Sequence, residues 1–435
     1  MIQSPEKQLN DILYQGQQEV YHMLSELGRR IYYVQEGILS QSAEAKRRAT
    51  RYNATLGTAT DQGEPMYLPV IREALPDLSA QDIFEYAPTA GKPELRQRWL
   101  DKMYREHPTL EGRTIGLPIV TTGLTHGLSL IADLFADEGD PVIVPDKIWE
   151  NYRITFDVRR GSHQVEYPIF NHDGGYNTEG LRTAIQSQHS HGKAIVVLNF
   201  PNNPTGYTLL AEEKEEIVRT LQEAADTGMH LVVLIDDAYF GLFYEDSIHE
   251  SLFSTLAGLH PSILPIRIDG ATKEDYATGL RVGFITYAAQ SNEVLTALEQ
   301  KTMGLIRATL SSGPHPSQSL LLRALQSPLY IEQKEINRQI LYRRAHQAKQ
   351  LLQQEHYQQV WSLYPFNSGY FLCLRLHHVQ AETLRRHLLD HYQIGIIALN
   401  EQDIRLAVPC IEEKDWRELL DLLYRAVQEL EQSSR

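Results

Sequence analysis

From about Pro118 onward the chain alternates short apolar runs with longer amphipathic stretches, and this alternation limits the folds open to it. The runs include IVTTG from Ile119, PVIVPD from Pro141, AIVVLNF from Ala194, LVVLIDD from Leu231 and RVGFITY from Arg281. Between them lie helical patterns such as LTHGLSLIADLF from Leu124 and AEEKEEIVRTLQEAAD from Ala211. Apolar runs this short, separated by helices, predict an α/β fold with a mostly parallel sheet covered on both faces.

The pattern changes toward both ends. The first ~50 residues read as helix: Leu9, Ile12 and Leu13 recur at helical spacing, as do Leu24, Leu27 and Ile31. Gly57, Gly63 and Pro65 then break the pattern. Beyond Leu321 a long charged helix is expected from about Tyr330 to Tyr357, followed by strand-like YFLCLRL from Tyr370 and IGIIAL from Ile394. A last helix near Ile411 to Leu430 places Trp416, Leu419, Leu420, Leu423 and Val427 on one face. A chain of 435 residues is long enough for two domains. The expected division is an N-terminal helical segment with part of a small domain (1–75), a large domain (76–315) and a C-terminal small α/β domain (316–435).

Composition narrows the function. Lys and Arg total 41 against 56 Asp and Glu, a net charge of -15, which lacks the basic footprint of a nucleic-acid surface. No apolar run reaches the ~18 residues of a spanning helix, so no membrane partner is expected. The polar start carries no charged-then-apolar leader, and a cytoplasmic protein is expected. Cys373 and Cys410 are too few for a disulfide framework or a structural zinc site, and no metal is expected.

In α/β sheets ligand-binding groups sit in loops beyond the carboxyl ends of strands. Lys273 follows the apolar run LPIRID, and Arg281 comes eight residues later. Asp236 ends the strand LVVLI, with Tyr239 three residues on; Asn203, in NFPNNPTG, follows AIVVL. TTGLTHGLSLIADLF reads as strand, glycine turn and helix, which leaves free amides at a helix start. Taken singly, each has an ordinary explanation: a solvated lysine, a capping carboxylate, a turn.

Taken together, in this order and each behind a predicted strand, they resemble the fold-type I pyridoxal-phosphate enzymes of the aminotransferase class I/II family. The segments YNATLGTATDQGEPMYLPVIREAL and IRATLSSGP resemble the aspartate aminotransferase branch. The resemblance runs from Tyr52 to the C-terminus. It implies a large domain built on a seven-stranded-type sheet and a smaller α/β domain made from both chain ends.

The resemblance also implies pyridoxal 5'-phosphate (PLP) as cofactor and a role for each matching residue. Lys273 would carry the cofactor aldehyde and move the proton. Asp236 would face the ring nitrogen, Asn203 and Tyr239 the phenolic oxygen, and Trp149 the ring face. The phosphate would meet the amides of Leu124 and Thr125, with Gly123 and Gly127 permitting close approach and Arg281 supplying charge. Tyr86 would reach the phosphate of a partner subunit, which implies a homodimer with shared sites. Arg405 would pair with the substrate carboxylate, helped by Asn203 and beside Trp149. Arg307, from the partner, would meet a side-chain carboxylate.

Two departures from the family pattern stand out. Gly270 replaces a serine three residues before the lysine, with Thr272 filling the neighbouring serine position. Ala59 replaces a glycine in the gating segment and is expected to put a methyl near the substrate. Asp237 falls off the pattern and reads as structural. The implied activity is transfer of an amino group from an L-amino acid, such as aspartate or another dicarboxylic or aromatic one, to a 2-oxo acid such as 2-oxoglutarate. A lyase, decarboxylase or synthase on the same scaffold is the alternative reading.

Overall fold

The computed structural model describes residues 4–32 and 37–433. Seven of its strands form one sheet: β1 (Ile119–Thr121), β2 (Pro141–Pro145), β3 (His163–Tyr167), β4 (Lys193–Asn199), β5 (His230–Asp236), β6 (Ile263–Gly270) and β7 (Gly283–Tyr287). Their spatial order is β1-β7-β6-β5-β4-β2-β3. Only β7 runs against its neighbours; the remaining pairings are parallel. The sheet is mixed and mostly parallel, flanked by helices, as the alternation predicts.

The apolar runs are continuous because these strands are buried on both faces. In β4, Ala194, Val196 and Leu198 join one core cluster while Ile195 and Val197 join the other. This is the two-residue period of a strand dividing its side chains between two layers of helix. One of those clusters continues without a break into the C-terminal part of the chain, through Leu372, Leu374, Trp416 and Leu423.

There a second sheet forms from β8 (Trp361–Leu363), β9 (Phe371–Leu376), β10 (Ile397–Ala398) and β11 (Asp403–Ala407), ordered β8-β9-β11-β10. IGIIAL, expected as one strand, is split. Ile394–Gly395 pairs in parallel with Tyr52–Asn53, whereas Ile397–Ala398 pairs with β11. The reason lies at Gly395, where a Cβ would come within 2.6 Å of the Ala45 Cβ. The helix Ile38–Arg48 packs directly on that backbone, and the chain switches partners beside it.

The long C-terminal helix ends at Leu352, earlier than expected. A turn then leads into the short helix Glu355–Gln358, which stacks Tyr357 on Trp361 with ring centroids 5.5 Å apart. Residues 5–30 are mostly helical but broken into Pro5–Gly16, Gln18–Met23 and Glu26–Arg30. Their apolar residues pack loosely, with Ile12 and Met23 largely exposed. Among the described residues no helix is long and apolar enough to cross a membrane.

Candidate active site

The parallel strands bring their carboxyl ends to one edge. Asn199 lies beside Asp236 in the register of β4 and β5, and Gly283 at the start of antiparallel β7 lies between Thr121 and Gly270. The loops leaving that edge carry Leu124 and Thr125 after β1, Trp149 after β2, Asn203 after β4, Tyr239 after β5 and Lys273 after β6. Arg281 enters β7 from the same side. All of these, with Asp236 and Arg405, line one cavity of about 430 Å³.

Lys273 donates from Nζ to the Gly57 carbonyl and has no acidic partner among the described residues. A Cβ at Gly57 would sit 3.2 Å from that Nζ, so glycine permits the approach. Burial, with the nearby charges of Arg405 and Arg281, pulls the Lys273 pKa down to about 8. A lowered value leaves a usable fraction of neutral amine near neutral pH. The lysine backbone is fixed on the other side, where the Tyr370 hydroxyl donates to the Lys273 carbonyl at 3.0 Å.

The two residues after Lys273 are buried carboxylates, and they anchor the loop. Glu274 accepts from Lys102 at 3.0 Å and also from Lys334, while Asp275 accepts from Tyr330 at 2.6 Å. Lys334 and Tyr330 lie on the helix Tyr330–Leu352. Further along that helix, the buried Arg344 donates to the Thr60 carbonyl at 2.5 Å and to Asp61 at 2.9 Å. One helix therefore grips both the lysine loop and the segment that follows Gly57. Asp237 is structural, as expected: it accepts from buried Arg267 at 2.6 Å.

Asp236 is buried, and Tyr152 donates to it at 2.5 Å while the Ala238 amide donates at 3.0 Å. Burial raises its pKa to about 6, and those two hydrogen bonds act against the rise. Tyr152 was not singled out from the sequence. The available signal is its position three residues after Trp149: the Tyr152 amide bonds the Trp149 carbonyl at 3.1 Å, which turns both rings toward one region.

At the start of the helix Leu124–Phe135, Gly123 has φ 79°. A Cβ there would lie 2.4 Å from an Arg281 guanidinium nitrogen. Glycine is needed twice, for the left-handed backbone and for the close approach. Arg281 itself sits at φ 53°, a strained conformation for a non-glycine residue. Its guanidinium bonds only the Thr278 carbonyl, at 3.2 Å, and has no acidic partner among the described residues. Free helix amides beside an unpaired guanidinium fit a phosphate.

Arg405 is the third such cation. It is 3% exposed, stacks over Phe371 with 4.0 Å to the ring centroid, and donates to Asn203 at 3.2 Å. Its Nε is buried without a partner, and no carboxylate among the described residues neutralises it. Burial lowers its pKa, which makes an incoming anion the favourable complement. Asn203 is held by its own amide donating to Asn199 at 2.8 Å, and Asn199 in turn donates to the Asp236 carbonyl at 2.9 Å. The pyridine, phenolic and phosphate groups of PLP would thus meet Asp236, Asn203 with Tyr239, and Arg281 with the helix start.

Several expectations change. Ala59 is 2% exposed within the hydrophobic core and does not line the cavity; Gly57 is the member of that segment beside Lys273. At Gly270 a Cβ would meet the Val282 carbonyl at 2.6 Å, so the pairing of β6 with β7 leaves no room for the serine of the pattern. Thr272 does line the cavity. Tyr86 and Arg307, expected to serve a partner subunit, keep that expectation: Tyr86 is 89% exposed, Arg307 is exposed with a 2.5 Å bond to Ser311, and neither lines the cavity of its own chain. Ile38, Leu39, Leu56 and Phe371 do line it, although the sequence did not mark them.

Comparison with known proteins agrees with this geometry. Residues 57–423 match the family described as aminotransferase class I and II. The chain belongs to this family. Its members use PLP, and its unpaired cations and buried carboxylate suit that cofactor. Among curated relatives, the aspartate aminotransferase of Bacillus sp. strain YM-2 is 27% identical over 228 residues, covering 52% of this chain and 54% of that protein. A probable aspartate/prephenate aminotransferase of Thermus aquaticus is 36% identical over 231 residues, covering 52% and 54%. The chain thus spans about half the length of these relatives. An aminotransferase structure from Anaerococcus prevotii superposes with a TM-score of 0.83 at 24% identity, over 93% of this chain and 99% of that one. The aspartate aminotransferase of Thermus thermophilus with maleate gives 0.72 at 22%, again over 93% and 99%. The fold is shared with both.

Proposed function

We propose that this protein transfers the amino group of an L-amino acid to a 2-oxo acid, in two half-reactions at one site, with PLP held on Lys273. The observation that carries the reading is one cavity holding three cations without acidic partners among the described residues, Lys273, Arg281 and Arg405, together with the buried carboxylate Asp236. Bound there, PLP supplies an aldehyde that takes up the amino group and a ring that draws electrons from the bonds at the α-carbon.

The chain's own residues do the rest. Arg281 and the amides of Leu124 and Thr125 hold the phosphate. Asp236, oriented by Tyr152, holds the proton at the ring nitrogen, and Asn203 and Tyr239 donate to the phenolic oxygen. Trp149, which lines the cavity, would cover the ring face. Arg405 binds the substrate carboxylate and so fixes which α-carbon bond faces the ring. The Lys273 amine, once free, would take the proton from the α-carbon and deliver it across the nitrogen to the cofactor's former aldehyde carbon, two bonds away.

The reading includes a homodimer. Phe84 and Tyr86 are 83% and 89% exposed, and their segment adjoins the one carrying Arg307: the Glu85 carbonyl meets His315 at 3.0 Å, and Thr89 donates to the Ser311 carbonyl at 3.5 Å. An exposed aromatic patch with an adjacent arginine supports an interface through which Tyr86 and Arg307 reach the partner's site. The relatives' names supply aspartate as a donor to test, with 2-oxoglutarate as acceptor. Formation of glutamate from a panel of donors supports the reading. Breakdown of a donor without any acceptor would sink it in favour of lyase chemistry.

A further inference from the structure

We propose that Tyr370 is a positioning residue for the proton transfer, its ring face holding the ammonium that Lys273 becomes on taking the α-proton; the proposal rests on the amino-transfer reading above. Tyr370 is 2% exposed, and its ring centroid lies 5.6 Å from the Lys273 Nζ. Tyr239 presents a second ring at 5.8 Å. The two rings are tilted by 56° with centroids 5.4 Å apart, so their faces form a corner around the amine. Both distances fall within the ~6 Å over which an aromatic face attracts a cation. The ring is held through its backbone. β9 opens at Phe371, and adjacent side chains of an extended chain point to opposite sides. Phe371 accordingly meets the Arg405 guanidinium at 4.0 Å while Tyr370 turns to Lys273. The Val408 amide donates to the Tyr370 carbonyl at 2.9 Å. Just before it, the Gly369 amide donates to the Leu242 carbonyl at 2.8 Å, and the Tyr244 hydroxyl donates to the Gly369 carbonyl at 2.6 Å. At the far end of the ring the hydroxyl reaches the Lys273 carbonyl, so both ends of the side chain are fixed.

The charges around Nζ make such a face useful. Arg405, on β11, and Arg281, at the entry to β7, both oppose a further positive charge there. The Cys410 thiol is also within electrostatic reach, but burial pushes its pKa up to about 12 and its Sγ donates to the Leu56 and Thr58 carbonyls, so it stays neutral. On the lysine's own loop, Glu274 and Asp275 are engaged by Lys102, Lys334 and Tyr330, and across the cavity Asp236 is engaged by Tyr152. The homodimer would bring Tyr86 and Arg307 of the partner subunit, a phenol and a further cation. Uptake of the α-proton thus creates a third positive charge beside two guanidinium groups, where burial disfavours it. The negative faces of Tyr239 and Tyr370 offset part of that cost without offering a competing base. A carboxylate in the same place would hold the proton more firmly and slow its delivery to the next carbon.

The test places two rings of one shape and opposite face charge at this position: Tyr370→Phe, and pentafluorophenylalanine incorporated in place of Tyr370. Both lack the hydroxyl, so any loosening of the loop is common to them. In the full chain freed of PLP, competitive acetylation of Lys273 across pH, read by peptide mass spectrometry, gives the pKa of its amine. The fluorinated ring is expected to lower that pKa by roughly half to one and a half pH units relative to Tyr370→Phe. In holoenzyme at about pH 9, where the amine is neutral in both, kcat with an α-deuterated amino donor should be roughly threefold lower with the fluorinated ring, and KM unchanged. An equal pKa in the two proteins, or a fluorinated ring that leaves kcat unmoved, would overturn the role of Tyr370 and leave amino transfer standing. Failure of every donor with every acceptor would overturn the amino-transfer reading instead, while the acetylation profile would still report on the ring face.

Discussion

Glu274→Gln tests what holds the lysine loop in place. The wild-type carboxylate is shared between Lys102, whose side chain is 3% exposed, and Lys334, at 15%. Burial alone would raise the Glu274 pKa, but the two ammonium groups more than offset this and hold it below the usual carboxylate range. The amide of glutamine removes the charge and keeps the shape. Taking one partner from a buried ion pair costs about 3–5 kcal/mol, because the remaining charge stays buried. Here each ammonium keeps a second carboxylate, Glu106 at 2.7 Å for Lys102 and Asp275 at 3.4 Å for Lys334. The loss therefore falls at the lower end, about 3 kcal/mol, or roughly 6–12 °C in melting temperature for a domain of ordinary size.

The pH dependence has a definite sign. A carboxylate with a depressed folded pKa contributes stability above its unfolded pKa and loses it as pH falls through the folded value. The gap between wild type and Glu274→Gln should hold from about pH 8 to 5 and close only below the ordinary carboxylate range. Thermal unfolding of the holoenzyme, followed by tryptophan fluorescence across that range, measures it. Adding Lys334→Met to the variant should restore part of the loss, with a coupling of about 1–3 kcal/mol. A variant within about 1 kcal/mol of wild type at pH 7 would refute the account of the cluster as a buried clamp.

Other consequences can be checked at the site. Arg405→Gln should lower kcat/KM for amino acids roughly 100-fold through the lost carboxylate contact. It should also raise the Lys273 pKa from about 8, since Arg405 is the second cause of its depression after burial. The rate at which apoprotein recaptures PLP, which needs the neutral amine, should then rise at higher pH than in the wild type; an unmoved profile would contradict the assignment. Tyr152→Phe removes the 2.5 Å bond to Asp236 and should cost about tenfold in kcat with little change in melting temperature. Gly123→Ala forces a Cβ against Arg281 at positive φ, so equilibrium dialysis should show weaker PLP binding by roughly tenfold or more.

Much of this was legible in the sequence because of where the strands end. Parallel strands buried on both faces read as unbroken apolar runs, and the residue following each run is placed at the ligand edge by topology alone. Asp236, Asn203, Lys273 and Leu124 were found that way, and their order carried the family resemblance. What stayed hidden depends on approach between distant segments. Nothing local marks Ile38 and Leu39 as cavity residues, since an apolar helical residue reads the same whether it faces core, solvent or ligand. Glu274 and Lys102 are 172 positions apart, and each alone resembles a surface charge. Ala59 was misplaced for a related reason: its segment passes the lysine at Gly57 and turns into the core two residues later. Gly270 looked like a lost hydroxyl until the close pairing of β6 with β7 showed that no side chain fits.

Reduction of the holoenzyme with borohydride, followed by peptide mass mapping, bears most directly on the central claim. The account predicts one pyridoxyl mass addition, on Lys273, together with loss of the visible cofactor absorbance, and no adduct in Lys273→Ala. A stable adduct on another lysine, or pure protein that takes up no cofactor on incubation with PLP, would contradict it.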